Sequence, residues 1–328
     1  MRRIVTILAA ALLIGAAAVP VPLGGIPLAM VLVTTSSGSG SAAAASRSSL
    51  NGTIAFLSGS QVPNGIYLMR PDGSGLRRLE NNQEKGAMPA WSPDGKRIAF
   101  ADRRGGEHLA IYVVNADGSG LQQVTHPTST DDESPSWSPD GRRIVFEVNL
   151  KGELGISVVN VDGSGRRRLT AHGQSPAWSP TGRRIAFVRQ YGHGKCGVGF
   201  DQIWLANADG RGLRVLTHNC VDHDDPDWSP KGQWLVFSGS RTPGGDNSRD
   251  QLWLVNAHGT GLRRITRGRF DHLWPTWSPD GRRIAFSRTP NLLADNEPFN
   301  IYVIDTNGSG LRRLTRTGDE VDPDWSRG

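Results

Sequence analysis

From residue 52 to residue 328, short apolar runs alternate with polar turns, and the same alternation returns six times. The fullest copy opens on Trp91 and turns at Ser92-Pro93-Asp94-Gly95. It then alternates through Ile98-Ala99-Phe100, continues in Ile111-Tyr112-Val113, turns again at Asp117-Gly118-Ser119-Gly120 and ends on Leu121 to Val124. Period-two spacing puts Ile144 and Phe146 on one face of a strand. Ile301-Tyr302-Val303-Ile304 has the β-branched and aromatic composition of a strand, and Leu311-Arg312-Arg313-Leu314 reads as a short fourth one. The tryptophans stand at 91, 137, 178, 228, 277 and 325, in steps of 46, 41, 50, 49 and 48 residues. After residue 50 no segment sustains an apolar helical period. Four strands per unit at this period predict an all-β fold, a six-bladed β-propeller of four-stranded antiparallel blades.

Turn chemistry supports the division. Ser-Pro-Asp-Gly at 92–95, 138–141 and 278–281 suits a type I turn, with proline presetting φ and glycine closing. Asp-Gly-Ser-Gly is a second tight turn in which glycine takes positive φ. The chain reaches Gly52–Phe56 with no tryptophan strand before it, and Val321–Ser326 is a tryptophan strand with nothing after it. Joined, they complete one shared blade and close the ring, which removes exposed sheet edges.

The Pro-x-Trp-Ser-Pro-Asp-Gly-x-x-Ile-Ala-Phe and Asp-Gly-Ser-Gly-x-x-Arg-Leu-Thr patterns resemble the TolB-type (PD40, WD40-like) β-propeller repeat over residues 52–328. The resemblance implies a propeller scaffold. It does not extend to the α/β domain that precedes the propeller in TolB proteins. Nor is there the Gly-x-Ser-x-Gly elbow of hydrolases that pair such propellers with a catalytic domain.

Residues 1–34 begin Met1-Arg2-Arg3 and run apolar to Val33, the pattern of a signal peptide or a membrane anchor; 35–50 form a Ser/Gly/Ala-rich linker, and 51–328 the propeller. The expected address is exported, secreted or periplasmic, with any membrane contact through the N-terminal segment. The formal charge of +6 falls to 34 basic against 31 acidic residues beyond residue 49. The arginine pairs, such as Arg142-Arg143 and Arg312-Arg313, suit strand edges kept from pairing with other sheets better than a nucleic-acid surface. Cys196 and Cys220 lie in loops that a meander brings to the same rim, which predicts a disulfide in an oxidising compartment.

The meander also sorts the loops. Both tight turns share one end of the ring. The connections between strands two and three, and from strand four to the next tryptophan strand, share the other. The two–three loops run roughly 57–65, 101–110 and 147–155 in blades one to three, and 188–202, 238–251 and 287–300 in blades four to six, counting the shared blade as one. This uneven rim carries the candidate binding residues Tyr191, His193, Arg241, Arg249, Asp250 and Asp295. The four–one loops are acidic. Asp131, Asp222, Asp271 and Asp319 each lie six residues before their tryptophan. Either they accept backbone N–H groups within the loop, or the acids Asp222, Asp224, Asp225, Asp319, Glu320 and Asp322 converge on a hard cation such as Ca²⁺. Without a nucleophile–base pair or a phosphate loop, the expected function is a monomeric, non-catalytic scaffold for a protein or peptide of the cell envelope or beyond. The alternative is a metal-dependent polysaccharide lyase or hydrolase using the acidic channel mouth.

Overall fold

The computed structural model describes residues 52–59, 65–79, 87–191, 199–240, 249–292 and 297–327. They form six four-stranded antiparallel sheets, one per blade. The shared blade is built as the sequence predicts: Glu320–Trp325 pairs with Ile54–Ser58, which pairs with Gly65–Met69 and then Arg77–Arg78. Thr53 and Ser326 add hydrogen bonds in both directions beside this seam.

The core is divided into six apolar layers, each with one tryptophan of an innermost strand: Trp91, Trp137, Trp178, Trp228, Trp277 and Trp325. Each layer mixes side chains from neighbouring blades, so a blade buries its faces only against its neighbours. The arginines serve the same joints. Arg77, Arg167, Arg214, Arg263 and Arg312 each donate to a backbone carbonyl in the next blade's turn, those of Ala116, Ala208, Ala257, Thr306 and Pro71, and Gln122 does so to Val161. Arg97 and Arg143 lie 4.8 Å over the rings of Trp137 and Trp178 in the next blade. These side chains therefore staple blade to blade. A glycine of the second tight turn serves the joint too: at Gly308 of Asn307-Gly308-Ser309-Gly310, with φ 90°, a Cβ would stand 2.7 Å from the Ile265 carbonyl oxygen.

Some loops are shorter than the sequence suggests. In blade three the strands run Arg143–Leu150 and Glu153–Asn160, joined by Lys151-Gly152 alone, with φ 50° and 93° at the two turn residues. Positive φ at both central residues matches the right-handed twist of a two-residue hairpin. In blade four the arms extend to Tyr191 and Phe200, which pair.

One irregularity repeats in every blade. Between the fourth and the first residue before the tryptophan, two residues of the innermost strand oppose one of its neighbour, a β-bulge. The first bulged residue has positive φ in all six: Met88 55°, Ser134 50°, Ser175 48°, Asp225 50°, Trp274 50° and Asp322 51°. A proline follows each one. Proline has no N–H to lose from the ladder. The left-handed conformation at a non-glycine residue costs about 1–3 kcal/mol at each position.

Candidate functional site

The bulges aim six side chains at the axis where the innermost strands converge. Residues of different blades therefore meet: Ser134 Oγ lies 2.9 Å from Met88 Sδ, and Ser175 Oγ donates to Asp225 Oδ1 at 3.3 Å. In blade order from one to six the ring reads Asp322, Met88, Ser134, Ser175, Asp225, Trp274. The backbone repeats and the side chains do not. Trp274 is half-buried and packs on Phe299 at 5.8 Å, so the indole stands between the two aspartates in ring order.

Other acids gather on this ring. Glu147, buried on the second strand of blade three, accepts the Ser175 N–H at 3.0 Å, and burial pushes its carboxyl up to about 8, with Glu133 and Asp224 adding repulsion. Ser175 Oγ also reaches Asp224 Oδ1 at 3.2 Å. Asp224 and Asp225 are only partly buried side chains, but the protein around them raises both carboxyls: burial first, then the charge of Asp225 on Asp224 and the charge of Asp322 on Asp225. Asp322 is 7% exposed, and burial raises it to about 7. Its carboxyl accepts the Met88 N–H, while Oδ1 is buried with no hydrogen-bond partner among the described residues.

A second ring, one residue before each tryptophan, serves structure. Asp324 accepts the Trp91 N–H at 2.6 Å, Asp227 that of Trp277 at 2.8 Å and Ser136 that of Trp178 at 3.0 Å, each tying a blade to the next. Arg327 lies 3.1 Å from Asp227.

The six acids considered as cation ligands are thus divided by register. Asp222 Oδ1 accepts the Asp201 N–H at 2.9 Å, as Asp131 accepts that of Leu109 and Asp271 those of Asp250 and Leu292. These registered aspartates cap the start of the blade's third strand, the loop-bonding alternative. Asp319 is in the same register, and its backbone carbonyl accepts the Gly59 N–H. Glu320 is turned by the alternation of the strand into its own blade, where Thr315, Thr317 and the Gly318 N–H bond it. Only Asp224, Asp225 and Asp322 face the channel. Among the described residues no group of three or more His, Cys, Asp or Glu side chains is placed to hold a metal ion. His223 and His272 sit in the Glu320 register of their blades, packed on Phe237 and Phe286, and burial lowers them to about 3 and about 4, which keeps them neutral.

Of the rim candidates, Tyr191 is exposed and packs against Trp204 at 6.0 Å. Arg249 donates to Asp271 at 3.0 Å and to Asn291 at 2.6 Å, so it braces a loop and does not neutralise the channel acids. The Asp250 N–H donates to the Asp271 carboxylate and its carbonyl accepts the His272 N–H, and its charge bears on Asp225. His193, Arg241, Asp295 and Cys196 lie outside the described residues. Cys220 is disulfide-bonded. Mass spectrometry of unreduced, alkylated protein is expected to find Cys196 and Cys220 joined and no alkylated thiol. A bridge closing this loop of about 25 residues is worth on the order of 3 kcal/mol by chain entropy.

Glu147 and Trp274 belong to no motif that marks them as site residues. The available signal was the Xaa-Pro before every Xaa-Trp, a constant frame around a changing residue.

The fold is a closed six-bladed propeller whose innermost strands carry the bulge ring. The chain belongs to the TolB β-propeller domain family (PD40), whose model matches residues 45–271. It is 26% identical over 184 residues to the uncharacterized peptidase YuxL of Bacillus subtilis (strain 168), which covers 56% of this chain and 26% of that one. It is 37% identical over 78 residues to the Tol-Pal system protein TolB of Syntrophus aciditrophicus (strain SB), 24% of this chain and 15% of that one. The match thus spans about a quarter or less of the length of either relative. The crystal structure of TolB from Acinetobacter baumannii is similar with a TM-score of 0.70 at 18% identity, over 85% of this chain and 67% of that chain. At that identity the likeness is one of fold.

Proposed function

We propose that this protein is an exported, non-catalytic propeller that binds a protein or peptide partner through the loop end of its ring. One observation carries the reading: six strained bulges keep one backbone conformation while presenting Met, Ser, Ser, Asp, Trp and Asp. Packing alone would favour a repeated side chain at a repeated position, as it does at the six tryptophans. A strained frame with changing side chains is the form of a recognition surface on a rigid scaffold. The tight-turn end is uniform and occupied by blade-to-blade bonds.

Export rests on the N-terminal pattern of residues 1–34 and on the kinship with a Tol-Pal system protein. Among the described residues no helix is long and apolar enough to cross a membrane. The competing reading, a metal-dependent polysaccharide lyase or hydrolase, draws on the same channel acids and would require donors converging on one ion.

The test is affinity capture from envelope extracts of cells that make the protein, with three baits. The wild-type chain and a turn-end variant, Asp117→Ala with Asp162→Ala, are expected to retain the same partner. A loop-end variant, Tyr191→Ala with Asn291→Ala and Trp274→Ala, is expected to lose it. Retention by all three, or loss only with the turn-end variant, would move the site away from the loop face.

A further inference from the structure

The channel narrows the chemistry of that partner, and the inference rests on the partner-binding reading. At three other places the fold sets an arginine against an acid. Asp132 has Arg166 at 2.7 Å, Asp271 has Arg249 at 3.0 Å and Asp227 has Arg327 at 3.1 Å. The bulge ring breaks that habit. The charges that bear on Asp225 are those of Asp322, Asp250 and Glu147, all of its own sign. Asp322 stands nine-tenths buried with Oδ1 unpartnered, two blades round the ring from Asp225 and close enough to repel it. Trp274 holds the ring position between them. Buried carboxylates with so few donors are costly unless a cation joins them.

Two kinds of cation are available. A divalent metal needs several oxygen donors on one small sphere, and the described residues hold no group of three or more His, Cys, Asp or Glu side chains placed around one point. A guanidinium or ammonium carries several N–H donors on a larger frame, which suits carboxylates on separate blades. An indole face beside them adds to the attraction of a cation.

We propose that the sector of the channel between Asp225 and Asp322 receives an arginine or lysine side chain of the partner polypeptide, with the Trp274 indole as a neighbouring wall. The site is a socket for one cationic side chain at the centre of the loop face, and the partner segment that enters it is basic.

The experiment is calorimetric titration of the full chain with a nine-residue Gly/Ser peptide carrying one central arginine. Its lysine form, its citrulline isostere and CaCl₂ alone are run beside it. The arginine and lysine peptides are expected to bind, and citrulline, which keeps the shape and loses the charge, to bind roughly tenfold more weakly or worse. Asp225→Asn with Asp322→Asn is expected to abolish the preference, while Asp140→Asn at the turn end leaves it intact. The double variant is also expected to melt no lower than wild type, because it removes buried carboxylates short of donors, and this separates lost binding from lost folding. Equal binding of citrulline, an undiminished preference in the double variant, no binding of the arginine peptide, or displacement of that peptide by CaCl₂ would each overturn the proposal. A natural partner captured equally well by the double variant would overturn the socket and leave the loop-face reading standing. Absence of any loop-face partner would overturn that reading itself.

Discussion

A chain lacking Val321–Gly328 is expected to lose its cooperative thermal transition, and Trp325→Ala to lose roughly 3–5 kcal/mol while keeping the fold. The strand Glu320–Trp325 is the innermost of blade one and pairs the C-terminal end of the propeller sequence with Ile54–Ser58 at its other end. Trp325 is 2% exposed and packs with Ile54, Phe56, Ala285, Ile301 and Val303, so its layer joins blades six and one. Asp324 further holds the Trp91 N–H of blade two. Without the strand, Ile54–Ser58 becomes an open edge and the Asp324 bond goes with it. Differential scanning calorimetry of the three chains decides the point. A midpoint unchanged by the truncation would show that the ring does not depend on the shared blade.

Glu147→Gln is expected to stabilise the protein above pH 8 by up to about 5 kcal/mol. The carboxyl is buried and raised to about 8 from an ordinary 4.5, so the folded state holds its proton more tightly than the unfolded chain does. Below about pH 4.5 both states are protonated and the residue adds no penalty. Between about 4.5 and about 8 the unfolded chain ionises first, so stability falls as pH rises, and above about 8 the whole penalty is present. Asp322, raised to about 7, acts in the same direction. Glutamine keeps an oxygen for the Ser175 N–H and carries no charge, so the variant should show a flatter profile. Urea midpoints at pH 4 and pH 8.5 are the measurement. A variant less stable than wild type at both would mean that Glu147 is ionised and paired in the native state.

The repeat made the blades legible because its information is local. Alternation, turn glycines and one tryptophan per unit each act within a few residues, and the shared blade followed from which strands were missing at the two ends. The channel was less legible because it is assembled from parts 41 to 50 residues apart, the spacing of the innermost tryptophans. Asp225 and Asp322 were recognisable as acids near one mouth, but their inward aim depends on a bulge that exists only when two strands pair out of step. Glu147 looked like an ordinary strand residue, since its neighbour Ser175 belongs to another blade. The same limit applied to the arginines. Spacing showed that they follow tight turns, while their acceptor carbonyls lie in the next blade. Glu320 and Asp222 are acidic and stand two and three residues before Asp322 and Asp225, and that change of register sends them into the blade and the rim.

Site-specific photocrosslinking in living cells tests the central claim most directly. A photoreactive residue is placed at Tyr191, Lys151 or Asn291 on the loop end, and at Asp117, Asp162 or Asn307 on the turn end. The loop-face account predicts discrete crosslinks to a polypeptide from the first set and none from the second. Crosslinks confined to the turn end, or absent from both, would contradict it.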